Sequence, residues 1–207
     1  MEYTALPTSQ DLQQTMDAVR ARGVAVELVE TKEGALTRLR AIIPAGATVM
    51  SGASLTLQQI GFTALLDSGN HPWRHFKAEV MAEKDPTRQR ELRKQGTLAD
   101  HFLGSVHAVA KTGEIVVASA TGSQLAPYAF SSQHVIWVAG AQKITPTLGA
   151  AIHRVRTYSL PLEDQRMKQA LGAQAGSFVG KLLIFEREAP YLGRQVTLML
   201  VNEVLGT

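Results

Sequence analysis

Helix-like and strand-like patterns alternate through the first 66 residues, and this alternation narrows the fold more than any other property of the chain. After the capping-type residues Ser9-Gln10-Asp11, the apolar positions Leu12, Met16 and Val19 recur at helical spacing. Gly23 ends that helix, and residues 24–29, Val-Ala-Val-Glu-Leu-Val, predict a strand. A second helix is expected after Thr31, closed by Pro44-Ala45-Gly46. Thr48-Val49-Met50 predicts a short strand that runs into Ser51-Gly52-Ala53-Ser54, with a third helix from Leu55. Such alternation implies an α/β protein whose sheet is mostly parallel and covered by helices.

Residues 70–98 break the rhythm. His71-Pro72 begins a polar helical stretch, Asp85-Pro86 restarts it and Gln95-Gly96 stops it, which predicts a helical insertion serving as a lid or an oligomer contact. Between Arg74 and Lys94 stand seven basic residues (Arg74, Lys77, Lys84, Arg88, Arg90, Arg93, Lys94) against four acidic ones, an excess equal to the chain's whole net charge of +3. A nucleic-acid site would want a purer basic stripe, so the mixed signs argue for a solvated helical face and against nucleic-acid binding. Beyond the insertion, sheet is expected near Gly104 and through residues 114–118 and 134–138. Helices are expected from Thr145-Pro146 to Arg156 and from Pro161 to Ala170, with a loop at 171–177. Residues 181–186 and 195–201, separated by Pro190 and Gly193, predict two final strands paired as an antiparallel hairpin.

The 207 residues suit one domain, and with 45% hydrophobic residues they can fill a core. No apolar run approaches the roughly 18 residues that span a bilayer. Met1-Glu2-Tyr3-Thr4 lacks the basic-then-apolar order of a signal peptide, so a cytoplasmic location and no membrane partner are expected. With no cysteine there is no disulfide, no thiolate nucleophile and no thiolate ligand for an iron–sulfur cluster in these residues.

The chemistry concentrates in a few places. Residues 99–116 read as a polar entry, a buried strand, a tight turn at Lys111-Thr112-Gly113 and a second apolar strand. Ser51-Gly52-Ala53-Ser54 lies between strand and helix, where free N–H groups attract phosphate or carboxylate; Gly52 admits close approach, and Ser51, Ser54 and Thr56 add hydroxyls. The same residues also fit a plain N-cap by Ser54. Thr121-Gly122-Ser123-Gln124 repeats the strand–loop–helix layout, as a second anion loop or a simple turn. Lys143, past another strand end, is either a neutralising charge for a ligand or a solvated lysine. His107, inside an apolar strand, suits a general base or a hydrogen-bonded core histidine. Asp100 and Glu114 are the candidate acid–base carboxylates, or a turn cap and an outward-facing residue. His71 and His75 share a helical spacing but have no third ligand at metal-site spacing, so no metal site is expected. A Walker loop and a Gly-x-Ser-x-Gly elbow are both absent.

Five segments together carry a resemblance to a known family. They are Gly52-Ala53-Ser54-Leu55-Thr56-Leu57-Gln58-Gln59-Ile60-Gly61, residues 99–113, Thr121-Gly122-Ser123, Gly140-Ala141-Gln142-Lys143-Ile144, and Leu198-Met199-Leu200-Val201-Asn202-Glu203-Val204-Leu205-Gly206. In order and spacing the chain resembles the LUD (lactate-utilisation) domain family, LutC/YkgG-like. The resemblance implies a Rossmann-like α/β sandwich similar to the NagB/RpiA/CoA-transferase group. It also implies a link to L-lactate oxidation alongside iron–sulfur redox partner subunits. Gln59 replaces the family's usual acid, His107 stands at its Asn position and Lys111 at a turn position that is often acidic. The expected role is a non-redox accessory or ligand-binding subunit for a small anionic metabolite, with its cofactor left open and self-association through the insertion. Two other readings stay open: a stand-alone enzyme resembling sugar-phosphate isomerases or CoA transferases, using Glu114 or His107, and a purely structural assembly protein.

Overall fold

A strand that is apolar on both faces needs cover on both faces, and Leu198-Met199-Leu200-Val201 is such a strand. The computed structural model describes residues 3–174 and 176–207 and gives it that cover. Met1 and Glu2 of the N-terminal reading, and Ala175 of the expected loop, lie outside the described residues. The first half of the chain runs α1 (Ser9–Ala21), β1 (Ala25–Val29), α2 (Lys32–Ile42), β2 (Thr48–Ser51), α3 (Leu55–Gln59), α4 (Phe62–Ser68), β3 (Arg74–His75), α5 (Phe76–Ala82), α6 (Pro86–Gln95) and β4 (His101–Gly104). The second half runs β5 (Ala108–Ala110), β6 (Ile115–Ser119), β7 (His134–Gly140), β8 (Ile144–Thr145), α7 (Leu148–Arg154), α8 (Leu160–Leu171), β9 (Lys181–Phe185) and β10 (Gln195–Val201).

Six strands in the order β1-β10-β7-β4-β2-β3 form a wholly parallel sheet. Successive side chains alternate between its faces. Phe102, Val135, Trp137 and Leu198 pack toward α1 and a second sheet, while Leu103, Ile136, Val138 and Met199 pack under α2, α3 and α4. The second sheet has the order β8-β5-β6-β9. It fills the layer beside α1, and Ala108 and Val116 on its outer face meet Ala151 and Val155. The architecture is the expected mostly parallel α/β sandwich.

Several local expectations change. The single buried strand expected after Ala99 is two strands: β4 enters the parallel sheet and β5 the second sheet. The turn at Lys111-Thr112-Gly113 joins β5 to β6 as anticipated, with Gly113 N–H donating to Ala110 C=O at 2.8 Å. The last two strands are not hairpin partners. β10 lies between β1 and β7, while β9, less deeply buried than β10, pairs antiparallel with β6. Pro161 does not open a separate helix; α7 and α8 are continuous through a wider π-helical turn at Val155–Ser159. A proline in the first turn of α8 lacks its N–H and crowds the carbonyl four residues earlier, which the wider turn relieves. The insertion expected at 70–98 holds the edge strand β3 as well as α5 and α6, and its second helix begins at the Asp85 cap, whose Oδ1 accepts from Thr87 N–H at 3.0 Å.

The ends of β2 and β4 approach the phenol of Tyr128 closely. A Cβ at Gly104 would lie 1.5 Å from Tyr128 Oη and 2.8 Å from its Cζ. Gly104→Ala therefore has to displace a wholly buried ring and is expected to cost about 1–3 kcal/mol, the usual range for overpacking. Adding Tyr128→Phe removes the nearest atom. In denaturant titrations the double variant should recover part of that loss; a strictly additive pair would show that the clash is not the cause.

Candidate functional site

The parallel sheet reverses its winding direction between β2 and β4. From β2 the chain steps outward to β3, then returns through β4, β7 and β10 on the other side. Open α/β sheets bind ligands outside the carboxyl ends of their strands at such a point. Here the loops after β2, β4 and β7 deliver Ser51, Ser105 and Lys143 to a cavity of about 460 Å³.

Lys143 is the buried centre of this corner. Its side chain is 2% exposed, and Nζ donates to Thr56 Oγ1 at 3.2 Å, Ser105 Oγ at 3.1 Å and Val106 C=O at 3.1 Å. No carboxylate among the described residues forms an ion pair with it. Burial, aided by the charge of Arg154, pushes its ammonium down to about 7. The C-terminal segment closes the corner: a Cβ at Gly206 would meet Thr56 Oγ1 at 2.3 Å and Lys143 Nζ at 2.8 Å. Two amides pin that segment without bringing charge. Gln59 Oε1 accepts from Gly206 N–H at 2.6 Å, and Gln142 Nε2 donates to Leu205 C=O at 2.8 Å.

His107 reaches the cavity from the start of the second sheet. Its Nδ1 accepts from Ala118 N–H at 3.1 Å, so the neutral ring carries its proton on Nε2, which is left for the cavity. Behind it lies Arg154, fully buried. One Nη1 donates to His107 C=O at 2.6 Å and to Ser159 Oγ at 3.0 Å. The guanidinium stacks near Tyr3 and Tyr158, 5.5 and 5.0 Å from the ring centroids. Its Nε and Nη2 find no hydrogen-bond partner, so the ring faces stand in for one.

Farther out, α5 and α6 provide Lys77, Met81 and Arg93, while α8 provides Met167 and Arg166, the last paired with Glu163 at 2.6 Å. Among the described residues, Glu163 is the only carboxylate side chain lining the cavity, against four cationic ones (Lys77, Arg93, Lys143, Arg166). The insertion thus forms one wall of the cavity.

Of the residues singled out from sequence, Ser51, Gly52, Ser54, Thr56, His107, Thr121, Ser123, Gln124 and Lys143 line this one cavity. Gln124 joins the two loops: its Nε2 donates to Ala118 C=O at 3.1 Å, and its Oε1 lies 2.8 Å from where a Gly52 Cβ would sit. Gly122 turns toward Lys181 instead and does not line the cavity. Ser54 Oγ accepts from Leu57 N–H at 3.2 Å, as a plain N-cap does. Its helix has only five residues, and the stretch after Gln124 is a π-helical turn at Pro127–Ser131. The attraction for an anion therefore resides in the cationic side chains and not in helix ends.

Both carboxylates lie elsewhere. Asp100 is at the opposite edge of the sheet, with Oδ2 accepting from Thr48 N–H at 2.8 Å. Glu114 accepts from Thr112 Oγ1 and Arg22 Nη2 and ties the β5–β6 turn to the end of α1. Burial opposes its ionisation, yet those hydrogen bonds and the Arg22 charge hold it below the usual carboxylate range. His71 spends both ring nitrogens on Trp73 N–H and Leu66 C=O, and no group of three metal-ligating side chains occurs among the described residues. Ser105 and Arg154 were not anticipated. Arg154 shares a helical face with Ala151 and Val155, and a charged residue on an apolar face is the signal that would have found it.

A family model described as the LUD domain matches residues 12–173. Among solved structures, a DUF162 family protein from Deinococcus radiodurans matches with a TM-score of 0.52 at 12% identity, over 95% of this chain and 98% of that one. At that identity the likeness shows the fold alone. No curated protein matches the sequence.

The half-buried imidazole of His107 makes acid stability a readout of the site. Burial first, then the charges of Lys143 and Arg154, push His107 from 6.5 down to about 3. Between those pH values the unfolded chain holds a proton that the folded one does not, so stability falls as pH falls through the window. His107→Asn should make the unfolding free energy less steep there by at most about 1.4 kcal/mol per pH unit, one proton's worth. His101, pushed to about 4 by burial, keeps part of the slope. Urea titrations from pH 7 to 4 would measure it, and an unchanged slope would place His107 in a more polar setting.

Proposed function

The chain belongs to the LUD domain family, and on that premise we propose that it is a LutC-like ligand-binding subunit in the utilisation of L-lactate or a related organic acid. The observation that supports this most directly is a switch-point cavity with four cationic side chains against one carboxylate, centred on a buried amine without a counter-ion. An organic acid supplies the missing negative charge, while the Thr56, Ser105 and Ser51 hydroxyls and the His107 ring offer it hydrogen bonds. Without cysteine, these residues offer no thiolate for a cluster, so electrons pass through separate iron–sulfur partners in this reading. No described helix is long and apolar enough to cross a membrane. An isomerase-like mechanism through Glu114 gains no support, because that carboxylate is held outside the cavity.

The volume, about 460 Å³, exceeds what a three-carbon acid fills, and the lining of Met50, Val80, Met81 and Met167 favours a larger organic acid. Thermal denaturation with L-lactate, pyruvate and longer 2-hydroxy and 2-oxo acids tests the reading. A ligand at 100 times its Kd stabilises by about 2.7 kcal/mol, and for a chain of this size the midpoint rises by roughly 5–10 °C. Lys143→Met should reduce the shift, whereas Asp100→Asn, at the far edge of the sheet, should leave it intact. Absence of a shift with every acid would overturn the proposal.

A further inference from the structure

A lysine serves as a nucleophile when its amine is desolvated or placed beside another cation, because both favour the free base. Lys143 meets both conditions. It is enclosed by Thr56, Ser105, Val106 and the Gly206 backbone, it has no carboxylate partner among the described residues, and Arg154 stands behind the adjacent His107. It also lines the cavity, which places it where a bound carbonyl compound would sit. A purely structural cation at this depth would be expected to have a paired anion; this one has only neutral oxygens around it.

We propose that Lys143 is an imine-forming residue, and that its partners are 2-oxo carboxylic acids carrying an apolar tail. The inference rests on the organic-acid reading above and names the class within it. The carboxylate, one bond from the reacting carbon, lies beside Nζ with the Ser51 and Ser105 hydroxyls and His107, while Lys77 and Arg93 give the outer part of the cavity its positive charge and Met50, Val80, Met81 and Met167 supply apolar wall for the tail. In the reaction the Nζ lone pair attacks the 2-carbon, a C–N bond forms and the carbonyl oxygen becomes a hydroxyl. Loss of that hydroxyl with a proton then releases one water and leaves C=N. Ser105 and Thr56, with hydroxyls 3.1 and 3.2 Å from Nζ and 3.2 Å from each other, pass protons between nitrogen and oxygen. Nε2–H of His107 is a further donor to the departing oxygen. The burial that pushes the Lys143 ammonium down to about 7 leaves a large free-base fraction at neutral pH.

The test uses the full chain with pyruvate or 2-oxooctanoate, and sodium cyanoborohydride to reduce any imine to a stable secondary amine. Intact mass and peptide mapping then locate the label. The expected result is one adduct per chain at Lys143, formed at least tenfold faster with 2-oxooctanoate than with pyruvate. 2-Hydroxyoctanoate, which has no carbonyl, should slow labelling by competition and form no adduct. Ser105→Ala should slow adduct formation by about tenfold at saturating 2-oxooctanoate, whereas Asp100→Asn, outside the cavity, should label at the unaltered rate, and this separates the proton relay from folding. Label scattered over surface lysines with none at Lys143, while the acids still stabilise the protein, overturns the imine and leaves the binding reading standing. If no acid stabilises the protein and none labels Lys143, both fall.

Discussion

An amine taken out of water loses several kcal/mol of hydration unless the interior replaces it. At Lys143 the replacement is three neutral oxygens, from Thr56, Ser105 and the Val106 carbonyl. These satisfy hydrogen bonds but leave the charge without a counterpart, and the neighbouring residues keep it so. Gln59 and Gln142 fasten the C-terminal segment through amides: a carboxylate at 59 would accept the same Gly206 N–H and also neutralise the corner, and one at 142 could not donate to Leu205 C=O. Arg154 adds a second buried cation, held by ring faces and one carbonyl. The site is thus arranged so that proton or guest must settle its charge, and the depressed lysine and histidine titrations are two consequences of the same arrangement.

The topology explains how so many groups converge. Between β4 and β7 the chain leaves the parallel sheet, makes the β5–β6 hairpin of the second sheet and returns. Ser105, Val106 and His107 are the bridge between the two sheets and therefore border the gap at the switch point. The Gly104 approach to Tyr128 lets that bridge lie flat on the end of the core. The Arg22–Glu114–Thr112 latch anchors the hairpin from the far side. Glu114 thus supports the site mechanically from outside it.

Most of the first 66 residues is legible because the signals are local: Thr31 and Ser54 cap helices and apolar spacing marks the strands between them, although Thr8 and not Ser9 caps α1, and the helix expected from Leu55 breaks at Gly61 into α3 and α4. Both small-residue loops and Lys143 were also legible, since each follows a strand and parallel strands share an edge. What escaped is set by long-range pairing. Residues 181–186 and 195–201 are close in sequence with turn residues between them, so local rules pair them. Burial instead sends the doubly apolar β10 to the parallel sheet and leaves β9 for the second. Asp100 looked catalytic because it begins a buried strand, but parallel strands carry their ligands at the other end. Arg154 escapes notice because helical periodicity marks a buried face by its apolar members alone.

The basic excess of residues 74–94 acquires a physical place through this geometry. α6 contains no buried residue, and α5 holds the insertion down through Phe76 and Val80. A wall with so little burial is the part of the molecule least costly to displace, so entry to the cavity is easiest there. Lys77 and Arg93 line that wall. Charges within about a Debye length, roughly 8 Å at physiological salt, act on an anion before it makes contact. Arg88 and Arg90 on the same helix extend that field into solvent, Lys94 is paired with Glu91, and Glu163 across the cavity is paired with Arg166. On the organic-acid reading, the mixed signs along the helix deny a polyanion its continuous stripe, and the local excess of positive charge steers a small acid toward the cavity.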